Sequence, residues 1–141
     1  MKETVPVPKA YSAAVQRSDA CEFARLLGMT VTAIEDGLVK VAMPTKGMKN
    51  AHGTIHGGAI FAIADHAFGI AANLEGVDEI AISANIRYFT VPAGETLEAV
   101  AYMISETART SVYAVEVYSG ERLVASFEGV GFKIGGTAKR E

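Results

Sequence analysis

Tryptophan is absent, cysteine occurs once and proline four times in 141 residues. The lone cysteine, Cys21, rules out an intrachain disulfide and reads as a small buried or half-buried thiol rather than a nucleophile. Charge is scarce too: 21% of residues are Asp, Glu, Lys or Arg, the net charge is −3, and the 13 Lys and Arg are scattered. No basic face is available for nucleic acid or for an anionic membrane surface. Half of the residues are hydrophobic, which excludes disorder. The length predicts one domain, residues 1–141, able to bury about two-thirds of its unfolded surface. Met1 to Arg17 carries charges and prolines without an apolar stretch, so no signal peptide is expected and the default location is cytoplasmic.

One long apolar run is present, Gly57 to Leu74. It does not read as a membrane span, because Asp65 and His66 sit in its middle and a central carboxylate costs roughly 2.5–3.5 kcal/mol in a bilayer. It reads as a buried helix of a globular protein. Around it the periodicity is mostly two. A loose arm at 1–9 is followed by a short helix near 10–15 and a second from Asp19 as N-cap, with Glu22 as in a capping box, to Gly28. Phe23, Leu26 and Leu27 give that helix an apolar face. Strands are expected at 29–35 and 38–43 about Asp36-Gly37, a strong hairpin signal. Beyond the long helix, Ile80 to Tyr88 alternates as a half-buried strand. Three more strands follow at 95–105, 110–118 and 122–134, the last two joined at Ser119-Gly120-Glu121, and a tail starts at Gly135.

The expected architecture is α+β. The long helix is apolar nearly all round, so one flat sheet face cannot cover it. A strongly curved antiparallel sheet of about six strands wrapped around it can, with remaining helix surface left for a second copy.

Three groups in this stretch can carry chemistry. Gly57-Gly58 at the helix start exposes backbone N–H groups that can polarise a carbonyl or hold an oxyanion, or serve only for a tight turn. Asp65 is a carboxylate where the pattern wants nothing polar, suited to act as general base or nucleophile unless a neighbour merely satisfies it. His66 lies about 100° around the helix from Asp65 and shares no face with it. His56 is suited to fixing the loop by hydrogen bonds. His52, His56 and Asp65 do not have the placement of a metal site, and no metal is expected. Asp65 lies eight residues beyond Gly57, roughly 12 Å of helix rise. Both cannot touch one ester within one chain, whereas two antiparallel helices about a two-fold axis can bring Asp65 of one copy to Gly57 of the other.

The sequence resembles the hotdog-fold acyl-CoA thioesterases, within them the phenylacetyl-CoA thioesterase group. The resemblance rests on Asn50, His56-Gly57-Gly58, Phe61, Ala64-Asp65, Ala67-Phe68, Ala71 and Asn73, with Asp19-Ala20-Cys21, Leu27-Gly28, Thr110, Val112-Tyr113 and Ile134-Gly135-Gly136-Thr137 outside the helix; His66 departs from it, relatives often carrying Ser or Thr after the acid. It implies a hotdog fold and hydrolysis of an acyl-CoA thioester. Asp65 would be base or nucleophile, Gly57 N–H would polarise the carbonyl, Asn50 would orient substrate or water, and His56 would support the loop. Gly58 belongs to the substrate-binding set, and Ser83 is a candidate hydroxyl where Gly69 replaces a water-holding threonine of a related subgroup. By position, Arg109, Thr110 and Ser111 match a basic turn that holds coenzyme A phosphates, with Lys133 a weaker candidate. The resemblance also implies a homodimer at minimum and a homotetramer as the usual assembly. No cofactor is expected, coenzyme A being part of the substrate. Two other readings stay open: a hotdog hydratase or dehydratase using Asp65 with His66, and a non-catalytic acyl-CoA binding module. The acyl group is not readable, since Phe61, Ile63, Phe68 and Tyr88 can line a pocket or simply form core.

Overall fold

The computed structural model describes residues 7–75 and 77–136. Residues 1–6 of the expected arm and 137–141 of the expected tail lie outside the described residues. A 3-10 turn at Lys9–Tyr11 leads into α1 (Ser12–Ala20) and α2 (Glu22–Leu27), followed by β1 (Thr30–Glu35), β2 (Leu38–Pro44), α3 (Gly57–Ala72), β3 (Val77–Tyr88), β4 (Thr96–Glu106), β5 (Thr110–Ser119) and β6 (Arg122–Gly136). The six strands form one antiparallel sheet in the order β1-β2-β4-β5-β6-β3. Helix α3 packs across it in the hotdog arrangement. None of the described helices is long and apolar enough to cross a membrane.

Asp36 and Gly37 both have positive φ, 49° and 76°, as a two-residue type I′ turn requires, and they close β1 onto β2 in the expected hairpin. The hairpin at Gly120-Glu121 also forms, but β6 runs on through Gly135 and Gly136, so the strand ends later than expected. The N-terminal helices differ from expectation. Asp19 lies inside α1, and Cys21, in an extended conformation, is the N-cap of α2. The Cys21 N–H still bonds to Ser18 O while its carbonyl accepts from Arg25 N, so one residue ends the first helix and starts the second. Phe23 and Leu26 do not form a buried face but are exposed.

The core lies between α3 and the inner sheet face. Rows of paired residues run across the strands: Val39, Ala101, Val115 and Phe127 in one, Val41, Ala99, Val117 and Ala125 in the next. All eight are essentially fully buried. The small residues on β4, facing a helix rich in alanine, permit the close approach that places α3 chiefly over this strand. Phe68 packs against Tyr113 and Phe127, and Phe61 meets Phe127 edge-on. Ile63 and Phe68 are therefore core residues, not pocket lining.

Strand β3 is less covered than its alternation suggests. It sits at the sheet edge, and Ile80 and Ile82 are 50% and 58% exposed. A bulge explains the misreading: Ala81 pairs with Gly131 and Ser83 with Val130, leaving Ile82 without a partner and reversing the face of everything after it. Ile104 in β4 and Ile134 in β6 are the extra residues of two further register shifts, and both are exposed as well.

Gly129 is a sharp test of this packing. A Cβ there would lie 2.9 Å from three ring carbons of Phe68, and Phe68 is wedged among aromatic neighbours. Gly129→Ala should destabilise the chain by about 1–3 kcal/mol, read as a lower denaturant midpoint with an unchanged slope.

Candidate active site

The loop entering α3 is built by Asn50. Its side-chain Oδ1 accepts from His52 N–H at 3.0 Å, Thr54 N–H at 3.1 Å and the Thr54 hydroxyl at 3.2 Å. Its own N–H donates to Thr54 O, and a bridge between Lys49 and Ile55 closes the loop. Only the side-chain oxygen of Asn50 is used in this way, so its Nδ2 donors remain outside these bonds.

The loop delivers His56 as the N-cap of α3. Its N–H donates to Met48 O at 2.7 Å, and its Nδ1 accepts the Gly58 N–H at 2.7 Å. A Cβ on Gly58 would stand 2.8 Å from that nitrogen, so glycine is what lets the ring fold over the helix end. The Ala59 and Ile60 N–H groups go to His56 O. A helix start leaves its first N–H groups without intrahelical acceptors, and among the described residues these bonds use all of them but the Gly57 N–H. The Gly58 N–H, grouped from sequence with the substrate contacts, is committed to His56. Tyr88 backs Gly57: its hydroxyl donates to Gly57 O at 3.1 Å and its ring lies against the Gly57 backbone.

Two turns along α3, Asp65 is exposed at the mouth of a cleft of about 420 Å³, which is bounded by α1, α3 and the start of β3. The helix is not enclosed all round as its composition suggested. Ten of its sixteen residues are buried, but Asp65 and Gly58 face outward, because a single sheet covers one side only. Partial burial raises the Asp65 pKa, with His66 partly offsetting it, and burial lowers the His66 pKa, with Asp65 partly offsetting that. His66 Nε2 is hydrogen-bonded to the Ser18 hydroxyl of α1 at 2.8 Å. At the helix end, Asn73 donates to Gly69 O and Glu79 O and accepts from Glu79 N–H, tying α3 to β3.

A second, apolar groove of about 350 Å³ opens beside Gly58, with Phe23, Leu27, Met48 and Ala62 among its walls. The remaining sequence candidates lie elsewhere. Ser83 pairs with Val130, on the sheet face opposite Ala84 and Gly129, which face Phe68. Arg109 stands in the β4–β5 turn and Thr110 opens β5; the Thr110 and Thr107 hydroxyls bond to each other and Lys133 is held by Glu106 and Thr107 O. Ser111 is fully buried and donates its hydroxyl to Glu79, an environment that excludes a phosphate. Among the described residues no three His, Cys, Asp or Glu side chains are arranged to hold a metal.

The structure thus gathers Asn50, His56 and Gly57 at one end of α3 and leaves Asp65 two turns away. Sequence reasoning missed Ser18, Arg17 and Cys21 as walls of the Asp65 cleft. Ser18 is 48 residues from His66, and no local pattern signals such a contact.

Comparison with known proteins gives the family and the fold. Residues 52–126 match the model of the thioesterase superfamily. The chain is 35% identical to the acyl-coenzyme A thioesterase PaaI of Escherichia coli (strain K12) over 131 residues, 91% of this chain and 92% of that one. The solved structure of the E. coli PaaI protein from the phenylacetic acid degradation operon superposes with a TM-score of 0.84 at 33% identity, covering 92% of this chain and 96% of that one. A mutant of the phenylacetic acid degradation protein PaaI from Thermus thermophilus gives 0.76 at 35% identity, covering 81% and 100%.

The raised pKa of Asp65 has a sign for stability. An acid whose pKa is higher folded than unfolded weakens folding once pH exceeds its ordinary value, since ionisation then favours the unfolded chain. Asp65→Asn should raise the melting temperature at neutral pH, and the gain should vanish as pH falls below the ordinary carboxylate range.

Proposed function

The chain belongs to the thioesterase superfamily, and from that membership we propose that it hydrolyses an acyl-CoA thioester to free acid and coenzyme A at a site shared by two copies. Asp65 of one copy acts as general base or nucleophile. Gly57 of the other polarises the thioester carbonyl through its N–H. The observation that carries this reading is the polar accounting at the helix start, where the neighbouring N–H groups are used and that of Gly57 is left for a ligand.

A positioned donor of this kind contributes about 3–4 kcal/mol to acyl transfer. The Asn50 Nδ2 group, outside the bonds that shape the loop, orients substrate or water. His56 holds the Gly57 peptide in place. The apolar groove beside Gly58 takes the acyl group. Relatives named for phenylacetic acid degradation support an arylacetyl group. Arg109 and Thr110 remain surface candidates for the coenzyme A phosphates, with Ser83 as a candidate hydroxyl.

Two observations support the second copy. Gly57 and Asp65 lie on one unbroken helix, roughly 12 Å apart along its axis, while a reacting ester must be within about 3 Å of both. Among the described strands β3 lies at the sheet edge beside β6, with Ile80 and Ile82 exposed, and an edge strand is a template for pairing with another chain. The assembly is at least a dimer, and pairing of dimers into a tetramer is the further level the family resemblance implies. A hydratase or dehydratase reading is weaker, because the His66 imidazole that it needs is engaged by Ser18.

Thiol release from acyl- and aryl-CoAs tests the chemistry. Asp65→Asn should lower turnover at least about a hundredfold. In the wild type, activity should fall with acid at a pH above the ordinary 3.8 of aspartate, since the carboxylate must be ionised. Full turnover in Asp65→Asn would overturn the mechanism.

Gly57→Pro tests the donor and the shared site. Proline is favoured at the first helical position and His56 already has the extended backbone a proline requires of its predecessor, so the substitution removes the N–H while keeping the helix. Turnover should drop about 10²–10³-fold. Mixing Asp65→Asn and Gly57→Pro chains should then restore activity, because each mixed dimer holds one intact site. Mixtures as inactive as their parents would place both groups in separate or single-chain sites.

A further inference from the structure

Helix α1 is tied to α3 by directional bonds as well as by the packing of Ala14 and Val15. Ala14 and Ser18 are its buried residues. Arg17 donates to Asn73 O at 2.9 Å, and from the turn before α1 the Tyr11 hydroxyl reaches Glu75 at 3.3 Å. Both of these contacts are exposed. The Ser18–His66 bond is the more deeply placed one: Ser18 is 4% exposed, and the bond stands directly beside Asp65 on α3. A buried hydroxyl and a half-buried imidazole each cost free energy when left unsatisfied, so the pair holds wall and floor of the cleft together.

We propose that His66 is a positioning residue for Asp65, clamped through Ser18 so that α1 forms a fixed wall of the catalytic cleft. This rests on Asp65 being the reacting carboxylate. His66 does not touch substrate. It fixes the turn of α3 that carries Asp65 and keeps water partly out. The charged and titratable groups around it are Arg17 on α1, Cys21 between α1 and α2, Asp65 on α3, and Asp78 and Glu79 on β3. Burial disfavours the charged imidazole, with Asp65 partly offsetting this, and a neutral neighbour leaves the Asp65 carboxylate more basic than a cationic one would.

Opening the clamp therefore has a signed consequence. In Ser18→Ala water enters, His66 regains its ordinary tendency to charge, and both changes lower the Asp65 pKa. The acid limb of kcat/KM should move to lower pH, while kcat at neutral pH falls about tenfold with KM little changed. Amide exchange across Ser12–Ala20 should quicken. His66→Ala should lose a similar factor in kcat. His66→Gln keeps a nitrogen where Nε2 lies and should stay within about twofold of wild type. A Ser18→Ala enzyme with an unmoved acid limb and wild-type kcat would overturn the clamp, as would His66→Gln as impaired as His66→Ala. Should Asp65→Asn abolish turnover while all three behave as wild type, only the clamp fails. If Asp65→Asn is itself active, the underlying mechanism fails instead.

Discussion

Burial of α3 against the inner sheet face is the interaction on which the rest depends. The alanines of the helix and the small residues of β4 set how near helix and sheet can come, and the aromatic cluster of Phe61, Phe68, Tyr113 and Phe127 fixes rotation about the helix axis. Once the axis is fixed, helical geometry sets the spacing of Gly57 and Asp65 along it. The site inherits its precision from the core, a sounder foundation than loops alone provide. The same burial is one-sided. It satisfies the face turned to the sheet and leaves uncovered the strip that carries the carboxylate.

The helix start shows how a polar ledger can leave one donor for chemistry. His56 serves several bonds at once: its N–H donates to Met48 O, its ring accepts the Gly58 N–H and its carbonyl accepts from Ala59 and Ile60, while Asn50 closes the loop that presents it. Glycine at 58 is needed for a steric reason, the imidazole lying where a Cβ would be. Glycine at 57 has a different neighbour in Tyr88, which supports the backbone from behind. The two glycines look equivalent in the sequence and are not equivalent in the structure.

Legibility in the sequence followed the range of the forces involved. The long helix, the Asp36-Gly37 hairpin and the six strands were readable because each is set by periodicity or turn chemistry within a few residues. The relation of Gly57 to Asp65 was readable because one helix carries both. The exposure of Asp65 was not, since composition tells how apolar a helix is and not which side its own chain can cover. The break at Cys21 was hidden by a competing cap signal at Asp19. Ile80 and Ile82 could not be seen to lie off the buried face because the bulge at Ile82 breaks the alternation. The Ser18–His66 bond joins distant parts of the chain, and nothing local foretells it.

The bulge at Ile82 also bears on how the chain tolerates change in length. Ile82 has no partner on β6, while Ala81 and Ser83 face consecutive residues there. Loss of this one residue would close the strand into regular register and leave Ala84, Ile86 and Tyr88 on the helix side. A residue lost further along can be absorbed only if the stretch between it and Ile82 slides by one place, and every side chain in that stretch then changes face. Without Arg87, for example, Asn85 would turn toward the core while Ala84 and Ile86 turned away from it. Along β3, then, the cost of a deletion grows with its distance from a single residue.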